Sequence, residues 1–222
     1  MPAPVLPAGR ALGESEALET LARVALDTGF SPDNVGEVIA AADRAAPGAP
    51  RVGVLKLRLA VRDRQDAEAL RLAATLAAHE DLATLRDTGL ALFERVREPV
   101  GDPPTAARRT EFEDAAFALL DRALRIDAGD APAAWAYALL AARRHESVDT
   151  ALERLAAART RMPGHPDLAE ATALALEVRG EEAAMMPFLL DALRNTSSAE
   201  QRARTARGIA ELRIKEREKA PR

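Results

Sequence analysis

Residues 123–135, ALRIDAGDAPAAW, carry the decisive pattern in this 222-residue chain. Ala123 and Leu124 close a run in which small and aliphatic residues recur at three and four, the spacing of one helix face. Asp127-Ala128-Gly129-Asp130 interrupts that run. Gly129 falls just past the helix end, where a left-handed residue is wanted, and Pro132 falls where a first turn tolerates a missing N–H. The stretch predicts helix, tight turn, helix, over about 105–127 and 132–144. A connection this short forces the two helices to be antiparallel.

The same punctuation extends in both directions. Helices are predicted at 15–28, 32–46, 51–62, 66–79, 82–98, 148–161, 166–179, 181–194 and 198–219 as well. Ser31-Pro32 reads as an N-cap followed by a first-turn proline, Pro166 as a first-turn residue, and Ser198-x-x-Gln201 as a capping box. Gly29 and Gly48 stand past helix ends like Gly129. Composition agrees: 51 alanines with abundant leucine, glutamate and arginine favour helix, while 3% aromatic residues leave little from which to build strands.

Five of the helices share a register. Aligning a small or aliphatic residue with apolar residues four and seven further on, and a helix-ending position at plus twelve, gives five sets. They are Val35, Ile39, Ala42, Pro47; Ala69, Ala73, Leu76, Asp81; Ala116, Leu120, Ala123, Ala128; Ala151, Leu155, Ala158, Pro163; and Met185, Leu189, Ala192, Ser197. The starts step by 34, 47, 35 and 34 residues. A 34-residue period of paired helices resembles the tetratricopeptide repeat. The opening stretch is similar to that family's junction, where a helix ends in Ala-Leu, breaks at Asp-Pro and restarts toward a tryptophan. Trp135, Ala151, Leu155, Ala158 and Pro163 match its consensus positions in one repeat, and Gly180, Leu189 and Ala192 in the next. The chain departs from the family in lacking most of its aromatics and in about 13 extra residues around Glu98–Thr110, EPVGDPPTAARRT.

The resemblance implies an all-α, right-handed α-solenoid of about five helix-turn-helix repeats plus a C-terminal capping helix. Residues 1–14 would form a disordered or extended tail, 15–199 the array with its insertion near 98–110, and 200–222 the capping helix and tail. In such an array the first helix of each pair lines a concave groove that receives peptides or partner helices. That geometry places Arg51, Val54, Arg58 and Arg62 inward in the second repeat, Ala136, Leu140, Arg143 and Arg144 in the fourth, and Asp167, Glu170, Leu174 and Glu177 in the fifth. Arginine forks bind carboxylates in bidentate fashion, so a groove with an arginine stretch and an acidic end suits an acidic or mixed-charge segment of another protein. The alternative for these arginines is pairing with nearby acids in solvent. Thr20 and Val24 stand where the family's chaperone-binding clamp would need lysine and asparagine, so chaperone-tail binding is not expected.

Other classes of function find little support. There is no cysteine, hence no disulfide scaffold, thiolate site or thiol nucleophile. No apolar run reaches the ~18 residues of a membrane span, and Met1–Leu12 lacks the features of a signal peptide. A cytoplasmic location is expected. With 31 basic and 35 acidic residues there is no global field to draw nucleic acid or lipid. The final helix carries seven basic residues, among them Arg204, Arg207 and Lys215, but its interleaved glutamates and missing aromatics favour a polar cap over a nucleic-acid surface. His79, His145 and His165 form no metal-ligand pair, and no nucleophile elbow or phosphate loop is present. No catalytic residue, metal or cofactor is expected.

The functional expectation is a non-enzymatic interaction scaffold or adaptor. A ligand- or peptide-responsive sensor that alters its assembly is the alternative. Self-association through the end repeats stays open, because Gly9–Glu14 caps the first repeat poorly. The insertion and the Met185-Met186-Pro187-Phe188 step are the remaining candidate contact features. Arginine outnumbers lysine 28 to 3, which suggests a GC-rich bacterial genome.

Overall fold

A computed structural model describes residues 13–28, 32–97 and 103–219. The described residues contain eleven α-helices and no strand, and the chain divides into two compact units, residues 1–76 and 77–222. The first unit holds α1 (Glu14–Thr28), α2 (Pro32–Ala45), α3 (Pro50–Arg62) and α4 (Asp66–Leu76). The second holds α5 (Leu82–Arg97), α6 (Ala106–Ile126), α7 (Ala131–Arg144), α8 (Val148–Arg161), α9 (Pro166–Val178), α10 (Met186–Asn195) and α11 (Ala199–Lys219).

Each unit is built from antiparallel pairs, because the connections are too short for anything else. In the first unit α1 pairs with α2 and α3 with α4, and α1 also packs on α3. Ala22, Val35, Ile39, Ala42, Val52 and Leu55 form the shared core. In the second unit α5–α6, α7–α8 and α9–α10 pair, while α7 packs on both α5 and α9, so like helices stack on like. Every one of the fifteen apolar positions aligned across the five repeats is buried. Each repeat thus hides a face that a lone helical pair would leave wet.

Alanine sets how closely the helices approach. In α7, Ala131, Ala133, Ala134, Ala136, Ala138, Ala141 and Ala142 are all buried. Side chains this small replace the interlocking of large residues with near backbone-to-backbone packing, which dispersion rewards only at close range. The few aromatics pair at one level: Phe93 meets Trp135 edge-on at 5.4 Å, and Phe117 stacks on Tyr137 at 4.4 Å.

Local signals resolve in differing ways. Asp81, Thr105 and Asp130 cap α5, α6 and α7 by accepting the backbone N–H of Thr84, Arg108 and Ala133. Gly48 has the expected positive φ of 74°. Gly129 does not have a positive φ; a Cβ there would lie 2.4 Å from Arg161 Nε, the end of an exposed side chain that can move aside. The last repeat's second helix begins later than expected, as a 3₁₀ turn at Glu182–Ala184 precedes α10, whose first turn contains Pro187. Of the extra residues, 106–110 form the first turns of α6, so that part of the insertion lengthens a helix; 98–102, like Gly29, Ser31 and the tail 1–12, lie outside the described residues.

Candidate partner-binding groove

A groove of about 710 Å³ opens on the second unit, walled by α7, α9 and α11. Helical spacing puts each wall on one face. On α9, Asp167, Glu170, Leu174 and Glu177 recur at three and four; on α11, Arg204, Gly208, Glu211 and Lys215 do the same; α7 gives Trp135 and Leu139. Leu212, Met185 and Leu189 form its apolar base and belong to the buried cluster shared by α9, α10 and α11. Leu174 is 37% exposed, an aliphatic side chain left facing solvent in the middle of the wall. Arg97 reaches over Trp135, its guanidinium carbon 5.3 Å from the ring centroid, a cation–π arrangement that holds the indole in place.

Two ends of the groove differ in how their charges are satisfied. At the start of α9, the Gln201 amide donates to Asp167 at 2.7 Å and to Glu170 at 3.1 Å, Arg204 donates to Glu170 at 2.8 Å, and the Thr205 hydroxyl donates to Glu170. This network is closed, and the Glu170 carboxylate raises the Arg204 guanidinium above its ordinary value. At the other end Lys215 donates to Glu182 at 3.0 Å. Glu182 first, then Glu177 and Glu211 at longer range, raise the Lys215 ammonium above its ordinary value. Three carboxylates therefore face one ammonium.

The sequence-derived site residues separate on this map. Glu170 and Glu177 line the groove together with Asp167 and Leu174. Leu140 does not: it is fully buried, and the groove face of α7 runs through Trp135 and Leu139, one residue earlier than expected. An alanine-rich helix such as α7 is apolar nearly all round, so its pattern cannot fix the rotation to one residue. Arg143 donates to Glu113 at 3.0 Å and to the Val96 carbonyl at 3.3 Å, and Arg144 is held by Asp114 and Glu146. In the first unit, Arg58 donates to Asp27, Arg62 pairs with Asp63 at 3.0 Å, and Arg51 is exposed. Arg58, Arg62, Arg143 and Arg144 thus pair with the chain's own acids, the alternative the sequence left open.

α11, expected only as a cap, also borders the groove. The capping box at Ser198 is half made: the Gln201 backbone N–H donates to Ser198 Oγ at 3.2 Å, but the Gln201 side chain turns into the groove. As a result α11 is a groove wall as well as a cap. The signal was the 34-residue period itself, which carries Glu170 to Arg204, Leu174 to Gly208 and Glu177 to Glu211. Among the described residues no group of three His, Asp or Glu is placed to hold a metal, and no helix is long and apolar enough to cross a membrane.

Stacked helical hairpins of 34-residue period with a groove on the first-helix side are a tetratricopeptide-like helical-repeat fold. Comparison with solved structures agrees on the fold. A thermophilic TPR protein of Thermus thermophilus matches with a TM-score of 0.62 at 19% identity, covering 88% of this chain and 99% of that one. PilW, a widely conserved type IV pilus biogenesis factor, matches with a TM-score of 0.65 at 13% identity, covering 92% and 93%. YrrB, a TPR protein with an unusual peptide-binding site, matches with a TM-score of 0.58 at 15% identity, covering 87% and 92%. No family model matches the sequence, and no curated protein does.

Proposed function

We propose that this chain is a non-enzymatic scaffold or adaptor that holds a segment of another protein in the groove between α7, α9 and α11. The observation that carries the reading is the groove itself: about 710 Å³, with Leu174 exposed on its wall and Trp135 held beside it by Arg97. Concave sites with an apolar floor and a few placed polar groups are where proteins take up ligands, and anchors of this kind supply most of the affinity of a small interface. YrrB, similar in fold, has a peptide-binding site, which lends support to a peptide as occupant. Glu170 serves the groove by fixing α11 against α9, and Glu177 by facing the occupant.

A photo-crosslinking amino acid placed at Leu174 in the native host tests this. Crosslinks to another protein from Leu174, with none from Ala156 on the exposed face of α8, are the expected result. Equal crosslinking from both positions, or none from Leu174, would overturn it. The arginine excess supports a GC-rich bacterial source, and the reading places the scaffold in the cytoplasm, where cell fractionation should find it.

A further inference from the structure

Resting on the groove reading above, we infer that the occupant is a basic segment, one that presents lysine or arginine beside a bulky apolar side chain, rather than the acidic or mixed-charge segment expected from an arginine stretch along the groove. The argument begins with which charges are already engaged. Every cation on the groove wall has a partner within the chain: Arg97 lies over Trp135 and reaches Glu94 at 3.5 Å, Arg204 is on Glu170, and Lys215 is on Glu182. Each would have to share its charge between an incoming carboxylate and the acid or ring it already faces. Glu177 and Glu211 are exposed groove residues that, among the described residues, make no hydrogen bond or ion pair. They stand at equivalent positions one repeat period apart, on the two walls that flank the opening. With Glu182 they make three carboxylates around the single Lys215 ammonium, so negative charge is in excess at this end of the groove, and a cation from the occupant gains attraction from Glu177 and Glu211.

The second observation is steric. Gly208 lies within α11, where a glycine destabilises the helix relative to alanine. Packing inside the chain does not call for it, because a Cβ at Gly208 would have no atom within 4 Å. Gly53 and Gly89 differ in this respect: added Cβ atoms would lie 2.8 Å from Leu76 and from Leu120. Gly208 stands one period after Leu174 and leaves room opposite it. That room, floored by Leu212 and Met185, fits a large apolar side chain adjacent to the two carboxylates.

Selection from a display library of random peptides on the immobilised full-length chain tests both parts at once. The wild-type protein should enrich peptides carrying Lys or Arg beside Leu, Phe, Trp or Met. Glu177→Lys with Glu211→Lys should weaken selected peptides by about tenfold or more and shift a fresh selection toward Asp and Glu. Gly208→Leu, which adds a side chain to an open helical site, should abolish enrichment while circular dichroism stays unchanged. An enriched pool that Gly208→Leu removes but that carries no basic bias, or an acidic one, would overturn the basic segment and leave the groove standing. No enrichment, or enrichment indifferent to Gly208→Leu, would overturn both.

Discussion

At the residue scale, Gly89 and Gly208 have the same sequence context, a glycine inside a helix, and opposite physical reasons. An added methyl at Gly89 meets Leu120 Cγ at 2.8 Å and approaches the Ala116 carbonyl at 3.4 Å, so Gly89→Ala forces α5 and α6 apart and should cost about 1–3 kcal/mol. Gly208→Ala meets nothing and should gain up to about 1 kcal/mol through helix propensity. Urea denaturation of the two variants checks the opposite signs. Leu155, fully buried in α8, is the plainer case. Leu155→Ala leaves a cavity at a fully buried position, and a loss of about 2–5 kcal/mol is expected in the same measurement. The fifteen aligned core positions were legible because each repeats at a fixed offset. Gly208 was not, because its meaning depends on what lies 34 residues earlier on another helix.

At the element scale, helix ends and inter-repeat links share the work. The Asp81 carboxylate accepts the Thr84 N–H at 2.8 Å at the start of α5, and that bond holds its pKa below the ordinary carboxylate value. A lowered folded-state value means stability present above the unfolded value, about 3.9, and lost as pH falls through the folded one. Asp81→Ala should therefore cost about 1 kcal/mol at neutral pH and lose less on acidification than the wild type, as thermal melts from pH 7 down to pH 3 would show. Links between repeats have their own spacing. Asp27–Arg58, Glu113–Arg143, Asp149–Arg179, Asp127–Arg161, Glu170–Arg204 and Glu182–Lys215 join partners 30 to 34 residues apart. Across the elongated third repeat the separations are 44 for Arg86–Asp130 and 47 for Arg143 to the Val96 carbonyl. Exposed pairs of this kind add little stability individually. Their regularity explains where the arginines go: a charge one period from its opposite stitches neighbouring helical pairs. The sequence shows the charges and the period, but only the helix rotations decide which of them meet.

At the scale of the whole molecule, the division after Leu76 has a testable consequence. Residues 77–222 contain three helical pairs, a terminal helix and their own core, above the size at which repeat stacks sustain themselves. The fragment 77–222 should fold alone, with cooperative thermal unfolding and dispersed amide resonances. It should also keep the peptide selection of the full chain, since the groove lies wholly within it. A fragment without cooperative unfolding would show that the second unit depends on the first.

The all-helical class, nearly every helix boundary, the 34-residue period and the identity of the buried positions are legible in the order of residues. Those follow from signals local to one or two turns: capping residues, first-turn prolines and apolar recurrence at three and four. Tertiary structure alone decided the rest. It rotated α7 by one residue so that Trp135 and Leu139 face the groove, paired Arg58, Arg62, Arg143 and Arg144 internally, and made α11 a wall. The physical reason is that groove lining and charge pairing depend on the rotation of one helix against another. In a chain so rich in alanine, many rotations bury nearly the same apolar surface, so apolar recurrence at three and four does not say which face ends up open.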